Sequence, residues 1–290
     1  MPTMLQYDVR TERREGLTRD VPPGHEDQQW VANSSTLVLG ERDALLVDTF
    51  PTVDQNARLV DWVRAHGRNL TAVYLTHGHG DHAFGVGQLR AAFPGVRVLA
   101  TAGTRAQLEE QARPELLEGF WERLFPGQIP PVELPDVLRT DRFEVEGHEA
   151  RVIETGHTDS VDTTALWIPD LGLLAAGDVV YGATYPYLSE TTADSRLEWI
   201  ASLERLRALH PRHVVSGHKD PRLGDPPTDI DATIRYLRDV AEVEATTSDA
   251  LDFYEQMLVR QPGRANIGSL WGAATALKGA PHSPPASAAL

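Results

Sequence analysis

The sequence predicts an α/β (α+β) protein with helices layered on sheet, and three observations carry that prediction. Short runs rich in Val, Ile and Leu interleave along the chain with stretches of helical period. Two such runs, Thr36-Leu37-Val38-Leu39 and Ala44-Leu45-Leu46-Val47, flank Gly40-Glu41-Arg42-Asp43, the signature of a hairpin. Several apolar runs end on residue types that bind metals, as ligands held at strand ends do.

The elements follow in order. Residues 1–30 are loosely patterned, with Val21-Pro22-Pro23-Gly24 as a loop. After the hairpin, Leu59, Val60 and Val63 share one face of a helix over 53–66, stopped by Gly67. Ala72-Val73-Tyr74-Leu75 is a buried strand, 84–93 a helix ended before Pro94, and 96–100 the next strand. Two short helices broken around Pro114 fit 104–125, and Pro-rich 126–136 is a loop. Strand-like runs recur at 141–145, 150–154, 163–168, 172–176 and 214–215. Helices fit 195–209, 229–245 and 248–260. No linker divides the chain, so 1–278 reads as one domain, and the Ala, Pro and Ser tail over 279–290 as disordered.

Composition removes whole classes of function. With no cysteine there is no disulfide, thiolate metal site or cysteine nucleophile. A net charge of −15 without a Lys/Arg block argues against a nucleic-acid partner. The polar stretch over 1–19 is not a signal peptide, and no apolar run reaches the ~18 residues of a membrane span. The expected location is the cytoplasm and the expected partner a small-molecule substrate.

The chemistry concentrates in Thr76-His77-Gly78-His79-Gly80-Asp81-His82, directly after a buried strand. The glycines let the chain bend tightly there. His77 and His79 can face one point, Asp81 and His82 a second. A solvated histidine-rich loop is the plain alternative, but chance rarely sets four ligand types against a strand end. Three more apolar runs end in Gly156-His157, Gly177-Asp178 and Gly217-His218. Two ions can then be held, one by His77, His79 and His157, the other by Asp81, His82 and His218, with Asp178 bridging them. Such a set leaves a coordination position open, as catalytic zinc sites do.

On these motifs the chain resembles the metallo-β-lactamase superfamily, over roughly residues 30–220. Asn33 and Val47-Asp48-Thr49 are similar to features of that family's first hairpin. The resemblance implies a four-layer αβ/βα sandwich with metals at one sheet edge. The ligand types are similar to those of glyoxalase II, of lactonases and of one β-lactamase branch. Many relatives read Gly-His-Thr-Pro-Gly at the third histidine, where this chain has Gly156-His157-Thr158-Asp159-Ser160.

The expected activity is that of a dinuclear zinc hydrolase, in which a hydroxide bridging two Zn²⁺ attacks the carbonyl of an ester, lactone or thioester. Asp81 is expected to orient that hydroxide and move its proton. Tyr181, with Tyr185 and Tyr187, could line the pocket and donate to the carbonyl oxygen, or simply pack beneath a loop. His25 and Trp30 could reach over the metals. The helices after 228, carrying Phe253, Tyr254 and Trp271, could form a lid or a homodimer face, or simply be core or cover. A β-lactam hydrolase is one alternative. A mononuclear-iron enzyme similar to persulfide dioxygenases is another, with Fe or Mn in place of zinc. A binding module that kept only the fold is a third, which seven intact ligand positions argue against.

Overall fold

A computed structural model describes residues 4–14, 22–26 and 31–279. Six strands form the first sheet, in chain order from one edge to the other: β1 (Gln6–Arg14), β2 (Val31–Leu39), β3 (Asp43–Val47), β4 (Asn69–Tyr74), β5 (Arg97–Ala100) and β6 (Asp136–Val137). Five form the second: β7 (Arg142–Val145), β8 (His148–Gly156), β9 (Thr163–Ile168), β10 (Leu173–Gly182) and β11 (His213–Lys219), in the order β11-β10-β9-β8-β7. The predicted hairpin is present, with Thr36 opposite Val47, and β3 then runs parallel to β4.

The two sheets face each other across one apolar layer. Val38, Leu45, Ala72 and Tyr74 of the first sheet meet Val152, Leu166, Ala175 and Val215 of the second. The outer face of the first sheet is covered by α1 (Val53–Ala65), α2 (Gly80–Ala83), α3 (Val86–Ala92), α4 (Ala102–Gln111), α5 (Pro114–Leu116) and α6 (Glu122–Leu124), through Leu59, Val63, Leu89 and Leu108 among others. The outer face of the second is covered by α7 (Ala193–Arg207), α8 (Thr228–Thr246), α9 (Ala250–Arg260) and α10 (Ile267–Lys278), through Trp199, Leu203, Leu237 and Phe253. The expected helix–sheet–sheet–helix sandwich is therefore the fold.

Three segments differ from their sequence reading. Gln6–Arg14 is not loose: it pairs antiparallel with β2 along its whole length, from Gln6 opposite Leu39 to Arg14 opposite Val31. Strand β2 begins at Val31 rather than 36 because Asn33, Ser34 and Ser35, polar by type, are buried. Between α5 and α6 the break at Pro114 continues into a π-helical turn, Leu117–Trp121. The C-terminal helices pack as cover on the second sheet. Of the expected disordered tail, 280–290 lies outside the described residues.

Candidate metal centre

Strand β4 ends by handing its last carbonyl to the Asp48 amide, and the histidine loop starts from that anchor. The Thr76 N–H donates to Asp48 Oδ1 and its hydroxyl to Asp48 Oδ2, each at 2.8 Å. Asp48 itself takes a left-handed conformation, φ +63°. Its carboxylate lies 3.4 Å from His82 Nδ1, so the end of β3 holds both the loop and one imidazole.

The glycines of this loop do not act as bending points. Neither Gly78 nor Gly80 has a positive φ. A Cβ on Gly78 would lie 2.6 Å from the Leu108 amide nitrogen, and one on Gly80 2.3 Å from the Phe84 ring. They are required because the loop is pressed onto α4 and onto its own short helix α2. Gly177 combines both demands, with φ +52° and a Cβ position 2.4 Å from Thr76 Oγ1. At Gly217 a Cβ would lie 2.1 Å from Asp178 Oδ1. These two glycines let the parallel strands β10 and β11 bring Asp178 and His218 against the loop.

Two adjacent buried groups result. His77, His79, Asp159 and Asp178 form one; Asp81, His82 and His218 form the other, and within each the ligand atoms lie within 4.8 Å of one another. Asp159 Oδ2 is 3.2 Å from His79 Nδ1 and 3.8 Å from His77 Nε2. His218 Nε2 is 3.6 Å from Asp81 Oδ2. Asp178 joins the groups, with Oδ1 3.2 Å from His82 Nε2 and Oδ2 3.0 Å from His218 Nε2. Asn33 Nδ2 donates to Asp81 Oδ2 at 2.9 Å, and His218 Nδ1 lies 2.8 Å from the Ala32 carbonyl. The buried polar residues of β2 thus orient the second group, as hydrogen-bonding neighbours orient metal ligands generally.

The donor set fits a divalent cation. His77 Nε2 is buried without a hydrogen-bond partner among the described residues, which is costly unless a cation satisfies it, and Asp159 Oδ2 and Asp178 Oδ1 each face a histidine nitrogen at 3.2 Å, where a cation would be held between them. Burial pushes the His77 imidazole down to about 4, leaving it neutral with a lone pair to give at pH 7. Burial works against the charged form of Asp178 too, but His218 and His82 outweigh it and hold the carboxyl well below the usual range. Nitrogen and oxygen donors without thiolate suit zinc, iron or manganese.

A sequence model of the metallo-beta-lactamase superfamily matches residues 29–218. The chain belongs to that superfamily. Among curated proteins it is 34% identical over 155 residues to a hydroxyacylglutathione hydrolase of Cereibacter sphaeroides, covering 53% of this chain and 50% of that one. A hydroxyacylglutathione hydrolase of a Synechococcus species is 28% identical over 238 residues, covering 79% and 76%. The chain spans about half the length of the most similar of these relatives. Among solved structures, a metallo-beta-lactamase family protein from Thermus thermophilus superposes with a TM-score of 0.61 at 20% identity, over 93% of this chain and 91% of that one. A metallo-beta-lactamase from Pontibacter korlensis gives 0.60 at 19%, over 80% and 99%. These likenesses concern the fold.

Within the superfamily frame, six of the seven expected ligands converge, and His157 does not join them. The chain turns at Gly156 with φ +76°, and the half-buried imidazole of His157 goes instead to the Glu190 carbonyl, its Nε2 3.0 Å away. Asp159, fully buried, takes the place beside His77 and His79. The only sequence signal for it was the departure from Gly-His-Thr-Pro-Gly. Glu190 was not foreseen either: its Oε1 lies 3.2 Å from His79 Nε2.

The three tyrosines separate. Tyr181 donates its hydroxyl to Asp178 Oδ2 at 3.0 Å and stacks on His218, its ring 5.6 Å away. Burial first, then the Asp178 charge, raises its phenol well above the usual value, so it stays a donor. Tyr187 sets its ring edge-on to His79 at 5.7 Å. Tyr185 is core, its hydroxyl given to the Gln261 carbonyl. His25 lies in a loop whose Pro23 carbonyl accepts from Tyr254, while Trp30 lies outside the described residues. The metal groups floor a cleft of about 200 Å³, open to Tyr181, Tyr187 and Glu190. No helix among the described residues is long and apolar enough to cross a membrane.

Proposed function

We propose that this chain is a dinuclear zinc hydrolase that cleaves an ester, lactone or thioester. The observation that supports it most is the pair of adjacent buried groups sharing Asp178 at the floor of a cleft. His77, His79 and Asp159 would hold one ion, Asp81, His82 and His218 the other, with Asp178 between them. Such ions, when bound, acidify water and polarise a carbonyl.

The protein's own groups do the rest. Asp81, oriented by Asn33, receives the proton released as water oxygen joins the acyl carbon. The acyl C–O or C–S bond breaks, and that proton passes to the departing alkoxide or thiolate. Tyr181 fixes Asp178 through its hydroxyl. Tyr187 and Glu190 bound the entrance beside His79. The superfamily membership and the hydroxyacylglutathione hydrolase relatives support a hydrolase, with thioesters among its candidate substrates.

The test is chelation, reconstitution with zinc, and a panel of an acyl-homoserine lactone, a glutathione thioester, an aryl ester and a β-lactam. Turnover of an ester, lactone or thioester at kcat/KM of about 10⁴ M⁻¹s⁻¹ or more is expected. Two zincs bound with no turnover across the panel would reject the reading.

One second reading is a mononuclear iron enzyme, in which the two histidines and one carboxylate of the group His77, His79, Asp159 and Asp178 would hold a single iron. Metal analysis of protein purified without added metal separates them: one iron per chain against two zincs.

A further inference from the structure

The cleft has two chemically different halves. One part of its lining is His79, Asp81, Asp178 and His218; another is an apolar wall of Leu116, Phe120, Trp121 and Leu124. That wall comes from one short segment, 114–124, whose π-helical turn Leu117–Trp121 inserts an extra residue per turn. The turn brings Leu116 and Trp121, five residues apart, to the same side, and π turns of this kind recur at functional sites. The wall is built to hold its shape. Trp121 is buried, donates its indole N–H to Gln111 Oε1 at 2.9 Å, and packs edge-on against Phe84 at 5.2 Å. Phe120 packs edge-on against Trp121 at 4.9 Å. Leu116, by contrast, is 38% exposed at the rim, an apolar side chain with no core to fill.

Away from the metal groups, the charged side chain lining the cleft is Glu190, a carboxylate, and no Lys or Arg lines it among the described residues. An anionic substrate would therefore find no basic side chain there, whereas an apolar chain meets a prepared surface. Resting on the hydrolase reading, we propose that the substrate is a neutral ester, lactone or thioester with an unbranched apolar acyl chain. The chain lies along Leu116, Phe120 and Leu124 while the carbonyl faces the metal groups. A glutathione thioester, which carries two carboxylates, is the wrong class for this cleft.

The experiment uses the metal-reconstituted full chain and p-nitrophenyl acetate, butyrate, hexanoate and octanoate. Burying each methylene is expected to raise kcat/KM by about fourfold until the wall is covered. S-hexanoylglutathione is expected to be at least tenfold slower than the neutral hexanoyl thioester of N-acetylcysteamine. Leu116→Asp, at an exposed position where folding is spared, should cut the octanoate-to-acetate ratio by about tenfold. Leu116→Lys should narrow the gap between the two thioesters. A flat chain-length profile, a preference for the glutathione thioester, or a ratio unmoved by Leu116→Asp overturns the proposal. Calorimetric binding of N-octylacetamide against N-ethylacetamide separates this claim from the hydrolase reading. If nothing is hydrolysed but the octyl amide binds at least tenfold tighter, with a negative heat-capacity change, the hydrolase reading fails and the apolar wall stands. Equal binding of the two amides removes the wall as well.

Discussion

At the scale of single residues the centre depends on which side chain reaches the first group. Asp159 is fully buried beside His77 and His79, whereas His157 is half-buried on the Glu190 carbonyl. Asp159→Ala should therefore cost one metal equivalent per chain and change the visible spectrum of the cobalt-substituted protein. His157→Ala should leave both close to wild type. Metal stoichiometry after gel filtration decides it, and the reverse pattern would return His157 to the ligand set. A Cβ at Gly217 would sit 2.1 Å from Asp178 Oδ1. Gly217→Ala should thus displace the carboxylate that joins the two groups, and turnover should fall by at least a hundredfold. A circular dichroism spectrum matching wild type would show that the loss is local.

At the scale of elements, helix α7 shows how local signals and the site are linked. Thr192 Oγ1 accepts from the Ser195 amide at 3.1 Å, and Ser195 Oγ accepts from the Thr192 amide at 2.9 Å, a reciprocal cap. That cap begins two residues after Glu190, so it also fixes the end of the segment that borders His79. Thr192→Ala should cost about 1 kcal/mol, read as a lower urea midpoint at unchanged m-value. Caps and apolar periods of this sort are local, and for that reason α1, α7, α8 and α9 were legible in the sequence. The histidine loop was legible because its ligand types are themselves the signal. Strand β1 was not, because in Gln-Tyr-Asp-Val-Arg-Thr-Glu-Arg-Arg the inward apolar face is only Tyr7 and Val9, half-buried against the layer between the sheets, and the rest of its place comes from nine backbone pairings with β2. The role of Gly78 is hidden from the sequence for the same reason, since what presses on it comes from α4, whereas at Gly80 it is the nearby Phe84 ring. Asp159 was hidden by a backbone choice, the positive φ at Gly156, that residue types alone do not encode.

At the scale of the whole molecule, an excess of carboxylates gives the protein a net charge of −15, and those charges bear unequally on stability. Asp229 in the first turn of α8 is the informative case. Burial first, against the opposing charges of Lys219 and Arg264 and with a smaller push from the Asp225 charge, raises its carboxyl to about 6. An unfolded aspartate releases its proton near pH 4. Between those values the folded state binds more protons than the unfolded one, so this group's contribution falls as pH rises from about 4 to about 6, then stays level. Asp229→Asn, which cannot ionise, should therefore be more stable than wild type at pH 7.5, with the difference shrinking toward zero near pH 4. The carboxylate is partly exposed and water screens it, so the gain should be on the order of 1 kcal/mol. In a domain of this size that corresponds to a rise of about 2 °C in Tm. Thermal melts of both proteins at pH 4.5 and pH 7.5 give the answer in the difference between them. An equal shift at both pH values would mean that the asparagine acts through packing, and that the buried charge at α8 is not what the substitution relieves.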